Sequence, residues 1–420
     1  MRKTTLLACV LISTCLFALG AQGQSEKSQI VEIEYLTRLR AEEYGRDVLN
    51  AIALEYSKAN PNVKIKFTDV SYDDLRSQTL LKAQAGTPPN LTEPVSAWIP
   101  QLASAGILEP VNNYLSDEDL GKYVPSAVSD GTIGGIPYAV PLWHGPIMLY
   151  ANKDLMSKAG LPIRDPENMQ EFMTWIEKIS ALGNDTIGFS MRNTRVANTG
   201  FWFVPWIWAF GGKLVDESGK PALDSDEFKQ ALDFYAWCTK NGYSPEGIDS
   251  STSRIMFAQG RAGFVFDGPW LRGMLRGMTD NPDIDNMYQV LKVPCNPDGE
   301  PWTIANPTSI VVLKGSEHKH IAFDFIKYMT QSPLMSELLA EKMGNFPTYL
   351  EFVENDPRMQ DPFYQAFAEQ MPYSRALPWK DERWPGLEDV LATAVSRVIA
   401  GEDSSLVARN AQAEFEELLR

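Results

Sequence analysis

Ile30-Val31-Glu32-Ile33-Glu34-Tyr35 and, further on, Val63-Lys64-Ile65-Lys66-Phe67 are two short runs in which apolar and charged residues alternate. A period of two puts the apolar side chains on one face, so both runs read as β-strands. The interval between them carries Val48, Ile52, Leu54 and Tyr56 and is stopped by Asn60-Pro61-Asn62, the signature of a helix with a defined end. A second helix bearing Leu75, Leu80 and Leu81 follows and ends at Gly86-Thr87-Pro88-Pro89. Strand–helix–strand–helix is the rhythm of a parallel sheet covered by helices. Ligands of such sheets collect beyond the carboxyl ends of the strands. The loop after Leu91 therefore faces a crevice, and it carries Glu93, Ser96 and Trp98.

Downstream the texture changes. Gly134-Gly135-Ile136-Pro137-Tyr138-Ala139-Val140-Pro141 is too interrupted for the centre of a buried strand and suits an extended crossing between domains. Trp143 and His144 follow it, then a strand over Ile147 to Tyr150 and a helix from Lys153. Helical spacing recurs in Met169 to Leu182 and Asp226 to Cys238. Phe264-Val265-Phe266 is a short buried strand that turns abruptly at Asp267-Gly268-Pro269-Trp270. Strand texture returns at Tyr288 to Val293 and Ser309 to Leu313, and helices dominate from Ile321 to the last pair, Leu387 to Ile399 and Ser404 to Leu419.

The densest aromatic stretch is GFWFVPWIWAFGG, with Phe201, Trp202, Phe203, Trp206, Trp208 and Phe210 inside ten residues. Pro205 suits a first helical turn and Gly211-Gly212 a helix end. This places Phe201 and Trp202 on the entering loop, as platforms for a flat ligand face, and Trp206, Trp208 and Phe210 in core packing. Tryptophans also recur just after strands: Trp98, Trp143, Trp202, Trp270, Trp379 and Trp384. Any one of them would serve a core equally well. Their convergence fits a carbohydrate cleft, where the C–H face of a pyranose packs on indole and its hydroxyls need polar partners.

A chain of 420 residues exceeds one compact core, so two domains are expected. Its net charge of −16 opposes nucleic acid and anionic membrane surfaces as partners. Met1-Arg2-Lys3 followed by the apolar Leu6 to Leu19 and by Ala21-Gln22-Gly23 reads as an export signal over residues 1–23. A lipid anchor on Cys15 is the competing reading and would tether the protein to a membrane. Cys238 and Cys295 remain beyond it, too few for a disulfide scaffold, and whether they pair is open.

Catalytic signatures are scarce. There is no G-x-S-x-G elbow, Walker loop or H-E-x-x-H. His318 and His320 lack the partners of a metal site, so no metal or cofactor is implied. A secreted carbohydrate-active hydrolase or lyase would need two carboxylates flanking one bond, and a sensor presenting ligand to a membrane receptor would share the same cleft. Both classes stay open beside a binding protein.

Several segments resemble one family. Ala83-Gln84-Ala85-Gly86-Thr87-Pro88-Pro89-Asn90 is similar to a helix-to-strand segment of the extracellular solute-binding proteins of family 1, with Asn90 where Asp is usual. Ile136 to Pro141 followed by Leu149-Tyr150-Ala151-Asn152-Lys153-Asp154-Leu155 resembles the hinge and tyrosine–asparagine–lysine–aspartate stretch of these proteins, with Ala151 for a common second tyrosine. Asp267-Gly268-Pro269-Trp270 resembles their sugar-stacking turn, and Met343-Gly344-Asn345-Phe346-Pro347-Thr348 and the closing helices with Gly401 extend the likeness over the mature chain.

The resemblance implies a two-lobed α/β periplasmic binding protein, type II-like, each lobe a β-sheet flanked by helices with a cleft and hinge between. Residues 24–141 with 294–340 would form the N-terminal lobe, and 142–293 with 341–420 the C-terminal lobe. It further implies a monomer that captures a sugar or oligosaccharide and delivers it to ABC transporter permease subunits. Glu93, Ser96 and Trp98 would contact ligand from the first lobe, and Trp143, His144, Phe201, Trp202, Asp267 and Trp270 from the second. Asn306, Thr308, Asn345, Arg375 and Trp379 complete the implied site. The expected scarcity of Lys and Arg near these loops argues against a phosphate ligand.

Overall fold

The strand Val31–Thr37 runs parallel to Val63–Asp69, in register from Val31 beside Val63 to Thr37 beside Asp69, in the computed structural model, which describes residues 30–40, 43–375 and 383–420. The helix Glu43–Ala59 makes the crossover and buries Val48, Leu49, Ile52 and Tyr56 against the sheet. Leu54 is out of phase with that face and stays exposed, contrary to the expectation. The same holds for Leu81 in the helix Tyr72–Gln84, which buries Leu75 and Thr79 one turn apart. Asn90 ties this unit together: its Oδ1 accepts the Glu34 N–H at 2.8 Å while its Nδ2 donates to the Glu317 carbonyl at 2.6 Å. An aspartate there would lack the second bond.

Leu91–Thr92 is the third parallel strand, beside Val31–Thr37. The full sheet has six strands in the order Phe346–Pro347, Val140–His144, Thr308–Val312, Leu91–Thr92, Val31–Thr37, Val63–Asp69. It is mixed, not wholly parallel, because Thr308–Val312 is antiparallel to both of its neighbours. That strand enters the sheet directly from the second lobe, with no crossover helix to reverse it.

The expected crossing at Gly134 to Pro141 is corrected as well. Gly134 and Gly135, at φ 58° and 80°, turn a small hairpin of Thr132–Ile133 and Ile136–Pro137. Val140–His144 is then a buried strand of the six-stranded sheet. Pro141 is accommodated beside Ser309, where the register slips, so its missing N–H leaves no gap in a regular ladder.

The chain crosses to the second lobe just after, through Gly145–Ile147, and returns through Ile304–Asn306. The two segments pair: the Ile147 N–H donates to the Ile304 carbonyl at 2.9 Å, and the Asn306 N–H to the Gly145 carbonyl at 3.2 Å. A Cβ on Gly145 would stand 2.6 Å from Cγ of Pro269, so only glycine fits this crossing.

The second lobe is built on a four-stranded sheet, in the order Tyr288–Leu291, Met148–Asn152, Ala262–Asp267, Ile187–Phe189. Both central strands are buried along their whole length. Around it cluster the helices Met169–Ser180, Ala197–Ala209 and Asp226–Lys240, with Trp384–Ile399 and Ser404–Leu418 packed on the latter two. Trp206 stacks on Phe172, centroids 5.8 Å apart and planes 4° off parallel, and meets Phe189 edge-on. Cys238 is buried, Cys295 half-buried, and both are free.

The aromatic stretch differs from the expectation in one respect. The helix begins at Ala197, so Phe201 and Trp202 are helical and Pro205 sits inside the helix. Among the described residues no side chain caps its start. Packing holds it instead: a Cβ on Gly200 would lie 2.1 Å from the Glu388 carbonyl, so the two helix backbones touch. Tertiary contact of this kind overrides local propensity.

Candidate functional site

Both sheets direct residues into one cleft of about 270 Å³ between the lobes. The first lobe supplies Arg38, just past the carboxyl end of the first strand, Ser71 and Tyr72 at the start of the next helix, Trp143 from its strand, and Asn306 and Thr308 from the returning crossing. The second lobe supplies Asn198, Trp202, the 249–251 segment with Arg254, and Trp270 with Met274 and Met278. Of the residues expected at the site, Trp143, Trp202, Trp270, Asn306 and Thr308 meet here.

Arg38 organises the first wall. Its Nη2 donates to Thr308 Oγ1 at 2.8 Å, and its guanidinium lies 5.0 Å from the Tyr72 ring and 5.6 Å from that of Trp143. A cation this close to an aromatic face is attracted by the ring quadrupole. Glu93 stands behind this wall. Its Oε1 accepts the Arg38 backbone N–H at 2.7 Å and the Thr37 hydroxyl at 3.1 Å, while Oε2 has no hydrogen-bond partner among the described residues. Complete burial pushes its pKa up to about 7, against the opposing pull of Arg38. Trp98 is also one layer back, its ring 5.3 Å from Tyr72, and Ser96 faces Ser309 at 3.4 Å.

The second wall rests on Asp267. Its carboxylate accepts Arg192 Nη2 at 2.6 Å, Arg254 Nε at 2.7 Å and the Gly268 N–H at 2.9 Å. Burial alone would raise this carboxyl, but the two guanidiniums outweigh it and hold it below the usual range. Arg192 in turn lies 3.7 Å beneath the Trp202 ring, whose Nε1 donates to Asn198 Oδ1 at 3.0 Å. Asp267 thus fixes the wall from behind and does not line the cleft.

A family model described as bacterial extracellular solute-binding protein matches residues 43–333. The chain belongs to this family. A putative binding protein of Brucella abortus is 23% identical to this solute-binding protein over 98% of both chains. A maltotriose-binding protein of Pyrococcus abyssi is 26% identical over 82% of this chain and 73% of its own. Among solved structures, an ABC transporter solute-binding protein of Thermotoga lettingae bound with α-D-tagatose superposes with a TM-score of 0.84 at 25% identity, covering 94% of this chain and all of its own. The maltose-bound MalE3 of T. maritima shares the fold with a TM-score of 0.83 at 22% identity, covering 92% of this chain and 99% of its own.

In this solute-binding protein the other expected contacts lie apart from the cleft. Phe201 is buried against Trp202, edge-on at 5.6 Å. His144 pairs with Phe346 at the sheet edge, and burial lowers its pKa. Asn345 is fully buried, with neither side-chain atom hydrogen-bonded among the described residues. Arg375 lies 3.6 Å over the Trp302 ring. Trp384 is a core residue at the start of its helix, not a loop ring. Trp379, Cys15 and the export signal fall outside the described residues, and among those described no helix is long and apolar enough to cross a membrane.

Sequence reasoning missed Arg38, Tyr72, Asn198, Arg254 and the 249–251 segment. The rule that placed the Leu91 loop at the crevice applies equally to the loop after Thr37, and would have found Arg38. Asp249-Ser250-Ser251 carries a helix-start signal, since Asp249 caps by accepting the Thr252 N–H at 2.7 Å. Nothing local marks Asn198, one turn before Trp202.

Proposed function

We propose that this protein captures a sugar or oligosaccharide outside the cytoplasm and delivers it to an ABC transporter permease. The supporting observation is the cleft itself, where the rings of Tyr72, Trp143, Trp202 and Trp270 from both lobes surround polar side chains. Indole faces take the C–H side of a pyranose, and Arg38, Asn198, Asn306 and Thr308 take hydroxyls at its edge. Both lobes contribute, so ligand favours the state in which they approach, and closure about the paired crossings at 145–147 and 304–306 would present a new surface to the permease. The lobes then divide by core: residues 30–40 and 43–144 with 306–356, and residues 145–305 with 362–375 and 383–420. The sugar named by the Pyrococcus relative and the tagatose of the Thermotoga structure support a carbohydrate ligand.

The lining speaks against hydrolysis. Asp249 is its one carboxylate among the described residues and it caps a helix, whereas a glycosidase needs a pair. A thermal-shift screen against mono- and oligosaccharides tests the proposal, because a ligand of the native state raises stability as ln(1 + [L]/Kd). Chromatography of the same mixtures after long incubation checks for products. Stabilisation without turnover is expected, and turnover would overturn the proposal.

A further inference from the structure

The cleft's hydrogen-bond inventory is lopsided. A neutral pyranose hydroxyl both donates and accepts, so a site for one needs acceptors as well as donors. Several of the acceptors here are already partly engaged. Asp249 Oδ1 takes the Thr252 N–H, Asn198 Oδ1 takes the Trp202 indole N–H, and Thr308 Oγ1 already accepts from Arg38. Asp267, which sequence reasoning assigned to ligand hydroxyls, is consumed by Arg192 and Arg254. The donors are less committed. No carboxylate among the described residues lies within ion-pair distance of the Arg38 guanidinium, and its Nε is buried with no hydrogen-bond partner.

Charge points the same way. Three guanidiniums, those of Arg38, Arg192 and Arg254, stand in or directly behind the lining, against the carboxylates of Asp249 and Asp267. Glu93 hydrogen-bonds Arg38 through the backbone N–H, and although the guanidinium pulls against it, burial pushes its pKa up to about 7, so at neutral pH it carries only part of a charge. The expectation of few basic residues near the ligand therefore fails for this cleft. The surplus is at most one positive charge, which suits a monoanion and is too small for a phosphate dianion. A carboxylate only accepts, and its two oxygens match a guanidinium fork. The rings remain available to the C–H face of a sugar.

Building on the carbohydrate role proposed above, we infer that the ligand is an acidic sugar, a uronate or related sugar acid, whose carboxylate is held by Arg38. Arg38 is placed for this by Thr308 and by the Tyr72 and Trp143 rings.

The test is calorimetric titration of the full chain with D-galacturonate, D-glucuronate and their disaccharides. The neutral parents, the methyl esters and glucose 6-phosphate serve as comparisons. A free acid is expected to bind at least tenfold more tightly than its ester and its neutral parent, about 1.4 kcal/mol, and to weaken as salt rises. Arg38→Gln should erase that preference to within threefold, and Arg38→Lys should keep part of it. Should Arg38→Gln not fold, the acid-against-ester comparison on the unaltered protein decides alone. Neutral sugars binding as well as acids, or the phosphate binding better, would overturn the inference and leave the carbohydrate role standing. Failure of every acidic and neutral sugar would sink both.

Discussion

Arg76 of the first lobe and Glu388 of the second meet across the interlobe boundary, Nη1 to Oε2 at 3.5 Å. Arg76 also lies over the Trp98 ring, 5.5 Å from its centroid. Glu388 sits on the Trp384–Ile399 helix that touches Gly200, and its side chain is 6% exposed. This pair joins the lobes outside the ligand cleft, so it bears on their approach without touching ligand.

Burial pushes the Glu388 carboxyl up to about 7, with Arg76 opposing. The sign follows from proton binding. Between its unfolded value near 4.5 and 7, the native protein holds a proton that the unfolded chain has released. The contribution to stability is complete below about 4.5 and is lost as pH rises through 7. Glu388→Gln should flatten the fall in Tm between pH 5 and pH 8, recovering on the order of 1–3 kcal/mol at the upper end. An unchanged pH profile would mean the carboxyl is not held protonated. Glu93 carries a shift of the same sign, so Glu93→Gln should flatten an independent share.

Removing the cation gives the complementary result. At pH 8, Arg76→Ala strands a buried carboxylate and should lower Tm by several degrees. At pH 5.5 Glu388 is already protonated, so the loss should be small. Equal losses at both pH values would show that Arg76 acts by packing on Trp98 and not by charge.

Gly268 sets the position of Trp270. A Cβ there would stand 2.2–2.5 Å from three atoms of the Trp270 ring, so Gly268→Ala must displace the indole from the cleft. Its effect should resemble Trp270→Ala, a loss of at least tenfold in ligand affinity, on the scale of the roughly 1–3 kcal/mol that a flat ring stacked on an aromatic side chain contributes in nucleobase sites. Tm without ligand should change far less than the ligand-induced shift. Full affinity in Gly268→Ala would remove Trp270 from the site.

How much of this was visible beforehand depended on range. The opening strands and their crossover helix were legible because alternation and helical spacing are local signals, and they failed only at Leu54 and Leu81, which break phase. The Val140–His144 strand was not, because Pro141 is tolerated by a register slip against Ser309, 168 positions along the sequence from it. Trp143, Trp202 and Trp270 could be named because tryptophan recurs along the chain, although Trp143 lies within a strand and Trp202 within a helix and not on the expected loops. Arg38 was within reach of the strand-end rule applied to the loop after Thr37, whereas Arg254 was not, because what distinguishes it from a surface arginine is its meeting with Asp267.

Asp267 gives the sharpest contrast between the two accounts of the site. If its carboxylate serves to bind Arg192 and Arg254, Asp267→Asn leaves two guanidiniums in a buried wall with no anion between them. Breaking such a pair typically costs about 3–5 kcal/mol, and the denaturant midpoint should fall accordingly, with ligand affinity declining as Trp202 loses its support. Burial already lowers the Arg192 pKa to about 10, so the strain on that cation would deepen without its partner. The double variant Asp267→Asn with Arg192→Met should then recover part of the loss, because the second change removes the stranded charge. If Asp267→Asn instead keeps full stability while ligand binding disappears, its carboxylate contacts the ligand directly. The wall would then have to open to let the sugar reach it.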